Sequence, residues 1–226
     1  MEKSQKKFIE DKVFYKLFNF TGKYLLINGC FMATVILWLL LGNLFSPSIM
    51  GMVFYTIGLF FGIIGFASVI RLYVEEKRHY QDVSLKNYMK HMRQSLKQDS
   101  GFIALALLAG AVVLIDIYFL VTVVGLSYFL PLFLLLFSLF AVTMLLGLIA
   151  RVMKPKVSYK EAIKIGFLLT LKKWHMSLAI FAMMAFLVLA IFVRSDLGLL
   201  VLPSFIFLYT YKLYNKMVST VSTSID

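Results

Sequence analysis

Six stretches of nearly uninterrupted apolar residues run through the 226-residue chain, at 24–45, 49–70, 101–121, 128–150, 176–193 and 197–211. A hydrocarbon layer about 30 Å thick takes about 20 helical residues to cross; the first five runs suit that length and the last is short. In lipid every backbone amide must find its partner inside the protein, and none of the runs shows the alternation of a barrel strand. The sequence therefore predicts an all-α fold, a polytopic six-transmembrane helix bundle. Hydrophobic residues make up 61% of the chain, against about 45–50% in a soluble globular protein, and one water-facing core cannot hide that excess. The longest connection, residues 71–100, falls well short of the ~50 residues a separate catalytic domain needs. Chain 1–226 reads as a single transmembrane domain, and function must reside in the bundle and its connections.

Lys and Arg outnumber Asp and Glu by 23 to 11. In a soluble chain that balance points to nucleic acid, but no nucleic-acid-binding motif accompanies it, and the basic residues cluster beside the apolar runs. There they set topology and meet anionic lipid headgroups. Residues 1–23 hold six, 71–100 hold seven, 151–175 hold seven and the tail holds Lys212 and Lys216, while the opposite side holds only Arg194. The positive-inside rule then places both termini in the cytoplasm. The first run is followed by Gly42-Asn43-Leu44-Phe45-Ser46-Pro47 rather than a small-residue cleavage site, so it reads as an uncleaved first helix. Cys30 is the only cysteine, which excludes an intrachain disulfide or a Cys-based zinc site.

The outer connections are a few residues long, whereas the inner ones carry helical patterns. Leu85, Tyr88, Met89, Met92 and Leu96 fall at helical spacing among polar residues, which predicts an amphipathic surface helix. A second begins with Ser158 and Glu161 in capping-box spacing and carries Tyr159, Ile163 and Phe167. Val83-Ser84 aligns with Val157-Ser158, and Ser95-Leu96-Lys97 with Thr170-Leu171-Lys172, one residue out of step. Residues 8–17 offer a third apolar-basic helix. The pattern predicts three transmembrane hairpins joined by cytoplasmic amphipathic helices, as approximate repeats 1–70, 71–150 and 151–226. The competing explanation is that any hairpin needs an inner connector.

Within the runs, polar groups are sparse. Asp116 is the one acid well inside a span; such residues mark functional sites or structural pairs, and its candidate partner is Arg194. Gly58, Gly62 and Gly65 form a small-residue face on the second run, suited to close helix approach within the chain or to a homo-oligomer contact. His79, His91 and His175 lack the spacing of a metal motif, and there is no phosphate-binding glycine loop, nucleophile elbow or pair of intramembrane carboxylates. No catalytic, cofactor or metal site is expected. Two readings remain: a non-enzymatic module acting through its inner helices, and a small transporter or channel with Asp116 in its path.

Ala67-Ser68-Val69-Ile70-Arg71, closing the second run before a basic amphipathic segment, resembles the corresponding stretch of the YesL-like family of bacterial membrane proteins, a domain of unknown function. Val157-Ser158-Tyr159-Lys160-Glu161-Ala162 leading into Leu171-Lys172-Lys173, and Leu202-Pro203, are similar to its later blocks. The chain departs from the family at Gly58-Leu59-Phe60-Phe61-Gly62, where members carry more polar and proline-containing sequence. The resemblance implies a multi-pass protein of the bacterial cytoplasmic membrane. It also implies an accessory or regulatory role beside a carbohydrate importer, because members are often encoded next to such permeases. It carries over no functional residue.

Overall fold

The computed structural model describes residues 2–45, 48–79, 84–193 and 195–222, with side chains for 22–45, 48–76, 84–190 and 202–220. Among them are eight α-helices, one 3-10 turn and no strand: α1 (Glu2–Leu44), α2 (Ile49–His79), α3 (Leu85–Gln98), α4 (Ser100–Thr122), the turn Ser127–Phe129, α5 (Leu130–Met153), α6 (Tyr159–Lys172), α7 (Trp174–Val193) and α8 (Ser195–Ser222).

Four segments are long and apolar enough to cross a membrane alone: Gly22–Leu44, Ile49–Glu76, Ser100–Thr122 and Ser127–Met153. They coincide with the first four apolar runs, as an integral membrane protein requires. Tyr159–Lys172 and Trp174–Ala190 qualify only together, and they meet at a bend of 107°. Among the described residues the count is thus four, or five with the bent pair; the fifth run, 176–193, continues past residue 190, the last of α7 whose side chain is described. The last run, 197–211, is not among them, and the side chains of 197–201 lie outside the described residues. Residues 8–17 belong to the same unbroken helix as the first span.

Local sequence explains the breaks. Ser84 caps α3 by accepting the Asn87 amide at 3.3 Å, and Ser158 and Glu161 close the capping box on α6, supplying partners that a helix start lacks. At the α4–α5 turn Gly125 takes φ 79°, a left-handed conformation open to glycine, and the Leu126 amide returns to the Leu120 carbonyl at 3.0 Å. Pro203 lies inside α8, where it cannot donate and loosens the ladder. The next amide, Ser204, donates to Asn28 Oδ1 at 2.8 Å, and Tyr73 donates to the Ser204 carbonyl at 3.1 Å.

Packing concentrates at one end of the bundle. On α2 every residue from 64 to 74 is buried, and on α5 every residue from 146 to 152, whereas Leu44, Ile49, Leu108, Ile115, Tyr118 and Tyr128 are exposed. Since lipid is as apolar as leucine, helices associate here through close fit rather than hydrophobic transfer. Gly58, Gly62 and Gly65 supply that fit against α1: a Cβ on them would meet Trp38 Cβ at 3.0 Å, Val35 Cγ2 at 3.6 Å and Phe31 Cδ2 at 3.1 Å. This glycine face is therefore used within the chain. A tighter crossing, missed in the sequence, joins α5 to α6. A Cβ on Gly147 would lie 2.8 Å from the Ala162 carbonyl oxygen, and one on Gly166 would collide with the Thr143 carbonyl oxygen. Because Gly147 faces Ala162 while Thr143 faces Gly166, α6 runs antiparallel along α5, wedged against it instead of lying free in the headgroup layer.

Candidate functional site

The packed end of the bundle encloses a cluster of charges. Arg71 lies within the buried stretch of α2, and Arg151 in the last turn of α5. Asp99 is the single residue joining α3 to α4, ending one helix and preceding the other. Its carboxylate sits at the positive end of the α4 dipole but also at the negative end of the α3 dipole, so the two offset, whereas Arg151 sits favourably at the negative end of α5.

Arg71 donates from Nη2 to Asp99 Oδ2 at 2.6 Å and from Nε to Ser95 Oγ at 3.1 Å. Arg151 approaches the other carboxylate oxygen, Nε to Oδ1, at 3.6 Å, too far for a hydrogen bond. Its remaining donors meet backbone: Nη1 to the Val157 carbonyl at 2.6 Å and Nη2 to the Gln98 carbonyl at 2.8 Å. The guanidinium lies 4.5 Å from the centre of the Tyr159 ring and 5.8 Å from that of Phe102, and the two rings meet edge to face. Two cations and one anion are thus held out of water, a state tolerated only when geometry and extra donors and acceptors compensate for lost hydration. Arginine keeps its charge at any accessible pH. The cluster ties the C-terminal parts of α2, α3 and α5 to the start of α4 and to the turn before α6.

Beside it, His91 of α3 is fully buried, with Nε2 at 3.2 Å from Glu75 Oε2. Neither ring nitrogen makes an aligned hydrogen bond among the described residues, so this is a close approach to the carboxylate and not a bond. Burial holds the imidazole pKa below its ordinary value; nearby Glu75 opposes that, while Lys90 and Arg71 reinforce it. Tyr88 occupies the groove between α1 and α2, its hydroxyl 3.2 Å from Thr34 Oγ1, and burial pushes its pKa up to about 12. Lys23 and Glu76 form an ion pair between α1 and α2.

The residues singled out in the sequence separate into three groups. On α3 and α6 Leu85, Met89, Tyr159 and Phe167 are exposed, Met92, Leu96 and Ile163 pack partly into the core, and Tyr88 is 1% exposed. Tyr88 is thus a core residue and is withdrawn from any docking surface. Tyr159 has a second role, covering Arg151. Asp116 lies exposed on α4 and makes no ion pair or hydrogen bond among the described residues, and Arg194 lies outside them.

By sequence Arg71 and Arg151 count among the basic residues that set topology, and that count does not single out Asp99. A signal was present: Ser68-Val69-Ile70-Arg71 and Leu148-Ile149-Ala150-Arg151 each end a span on arginine, and Asp99 directly precedes the next span. The chain matches no family model, no curated protein and no solved structure.

Proposed function

We propose that this protein is a non-enzymatic accessory or regulatory protein of a bacterial cytoplasmic membrane, with six spans and both termini on the cytoplasmic side. It docks on a membrane transporter complex through its inner helices. The observation that supports this reading is a rigid inner platform: Leu85 and Met89 on α3 and Phe167 on α6 are 59%, 45% and 53% exposed, on helices fastened by Arg71, Asp99 and Arg151. Exposed apolar side chains on a preorganised helix favour association, because little ordering entropy is lost on contact. The resemblance to the YesL-like family makes a carbohydrate importer the partner of choice, and short inner helices resemble those by which importer permeases touch their nucleotide-binding subunits.

The test is affinity purification of the full chain in mild detergent, with co-purifying membrane proteins identified. Importer subunits should accompany the wild type and be lost from L85S/M89S/F167S, provided that variant keeps its helicity. Repeated recovery of the chain alone under gentle conditions would remove the docking reading.

A further inference from the structure

The basic residues of α3 are arranged more strictly than topology requires. Lys86, Lys90, Arg93 and Lys97 recur at intervals of four, three and four residues, which keeps them on one stripe of the helix, and all four are exposed. The buried residues Tyr88, His91 and Ser95 occupy the roughly opposite face at about 100° per residue. The stripe therefore points straight away from the bundle. No acid occurs in α3, and none of the four side chains forms an ion pair among the described residues.

Both ends of α3 are tied to membrane-crossing segments. At one end Asp99 alone separates it from Ser100, where the span Ser100–Thr122 begins. At the other the Tyr88 hydroxyl lies 3.2 Å from Thr34, within the span Gly22–Leu44. The helix is held beside the start of a membrane-crossing segment, with its cations aimed away from the bundle. Arg71, bonded to Ser95 and Asp99, prevents it from rolling. The comparable face of α6 is interrupted: Glu161 follows Lys160, and Phe167 and Leu171 separate Lys164 from Lys172.

We propose that Lys86, Lys90, Arg93 and Lys97 form a binding stripe for anionic phospholipid headgroups, selective for α3 over the other basic segments. The occupant is the lipid phosphate beside the bundle, since a row of cations facing away from the bundle beside the start of a span meets headgroups before anything else, and each juxtamembrane cation strengthens such contact by about fivefold. The proposal rests on this stripe alone and is independent of transporter docking.

The experiment uses the purified full chain in detergent micelles doped equally with phosphatidylglycerol and phosphatidylcholine, counting retained lipids by native mass spectrometry. The wild type should retain phosphatidylglycerol several-fold over phosphatidylcholine, a preference that falls as ionic strength rises from about 0.05 to 0.5 M. K86Q/K90Q/R93Q/K97Q should lose it, while K160Q/K164Q/K172Q/K173Q, with as many charges removed, should keep most of it. If the quadruple α3 variant does not fold, K86Q/K90Q and R93Q/K97Q decide in the same way, each losing part of the preference. No preference in the wild type, or equal losses in the α3 and α6 variants, overturns the proposal. So does an α3 variant that keeps its lipids but loses a co-purifying acidic protein, which would make the stripe a protein contact.

Discussion

Asp99 carries the sharpest prediction, because one carboxylate compensates two buried arginines. In Asp99→Asn the side chain keeps its shape and one acceptor, but the guanidinium of Arg71, 4% exposed and 2.6 Å away, loses its counter-charge. Breaking a buried pair from one side costs about 3–5 kcal/mol. No discount for solvent screening applies, since Asp99 is itself 1% exposed. For a chain of this size that corresponds to a fall in Tm of about 6–20 °C. Thermal unfolding in detergent, followed by circular dichroism, measures it. A double-mutant cycle with Arg71→Met separates the pair from general damage. Removing both partners should cost less than the sum of the single losses by at least about 1 kcal/mol, as residues in direct contact couple. Strict additivity, or an Asp99→Asn variant as stable as the wild type, would refute the view that these charges hold the packed end of the bundle together.

Three other outcomes follow from the same structure. Gly166→Ala should destabilise by about 1–3 kcal/mol or more, because the new methyl meets the Thr143 backbone and no rotamer can relieve it, whereas Gly62→Ala, with Val35 Cγ2 at 3.6 Å, should stay within about 1 kcal/mol; detergent melting curves compare them. Burial lowers the His91 pKa in the folded state, so the unfolded chain binds more protons once pH falls below the ordinary histidine value; stability should drop from about pH 6.5 downward, and His91→Gln should flatten that slope in melts taken across pH. Asp116→Asn should leave stability unchanged or raised, since no described partner is lost and an exposed intramembrane carboxylate is costly; a clear fall in Tm would show that Asp116 has a structural partner.

Hydropathy averages over about 20 residues, so it located the first four spans well but carries no information on bends: Lys172-Lys173-Trp174 lies at a 107° turn between α6 and α7. Caps were equally legible, because a capping box is a local bond pattern; Ser158 and Glu161 close it as their spacing requires. Tyr88 shows where periodicity stops being informative. It shares a helical pattern with Leu85 and Met89, yet its neighbours across the fold are Thr34 and Gly65, and only the placement of α3 against α1 and α2 brings them together.

The arginine cluster was hidden for a deeper reason. In a soluble protein a buried segment differs in composition from an exposed one, because water penalises exposed apolar surface. In a bilayer that contrast disappears: residues 64 to 74 of α2, buried on all sides by protein, and residues 105 to 119 of α4, largely exposed on its surface, have similar apolar content. An arginine at the end of either run reads as a topology charge. What distinguishes Arg71 from Lys97 is whether an acid and a hydroxyl converge on it, and that convergence depends on helices far apart in sequence. The rule that assigns sidedness therefore cannot separate charges that face headgroups from charges that face one another. In this protein the first kind forms the exposed stripe on α3, and the second holds the helix that presents it.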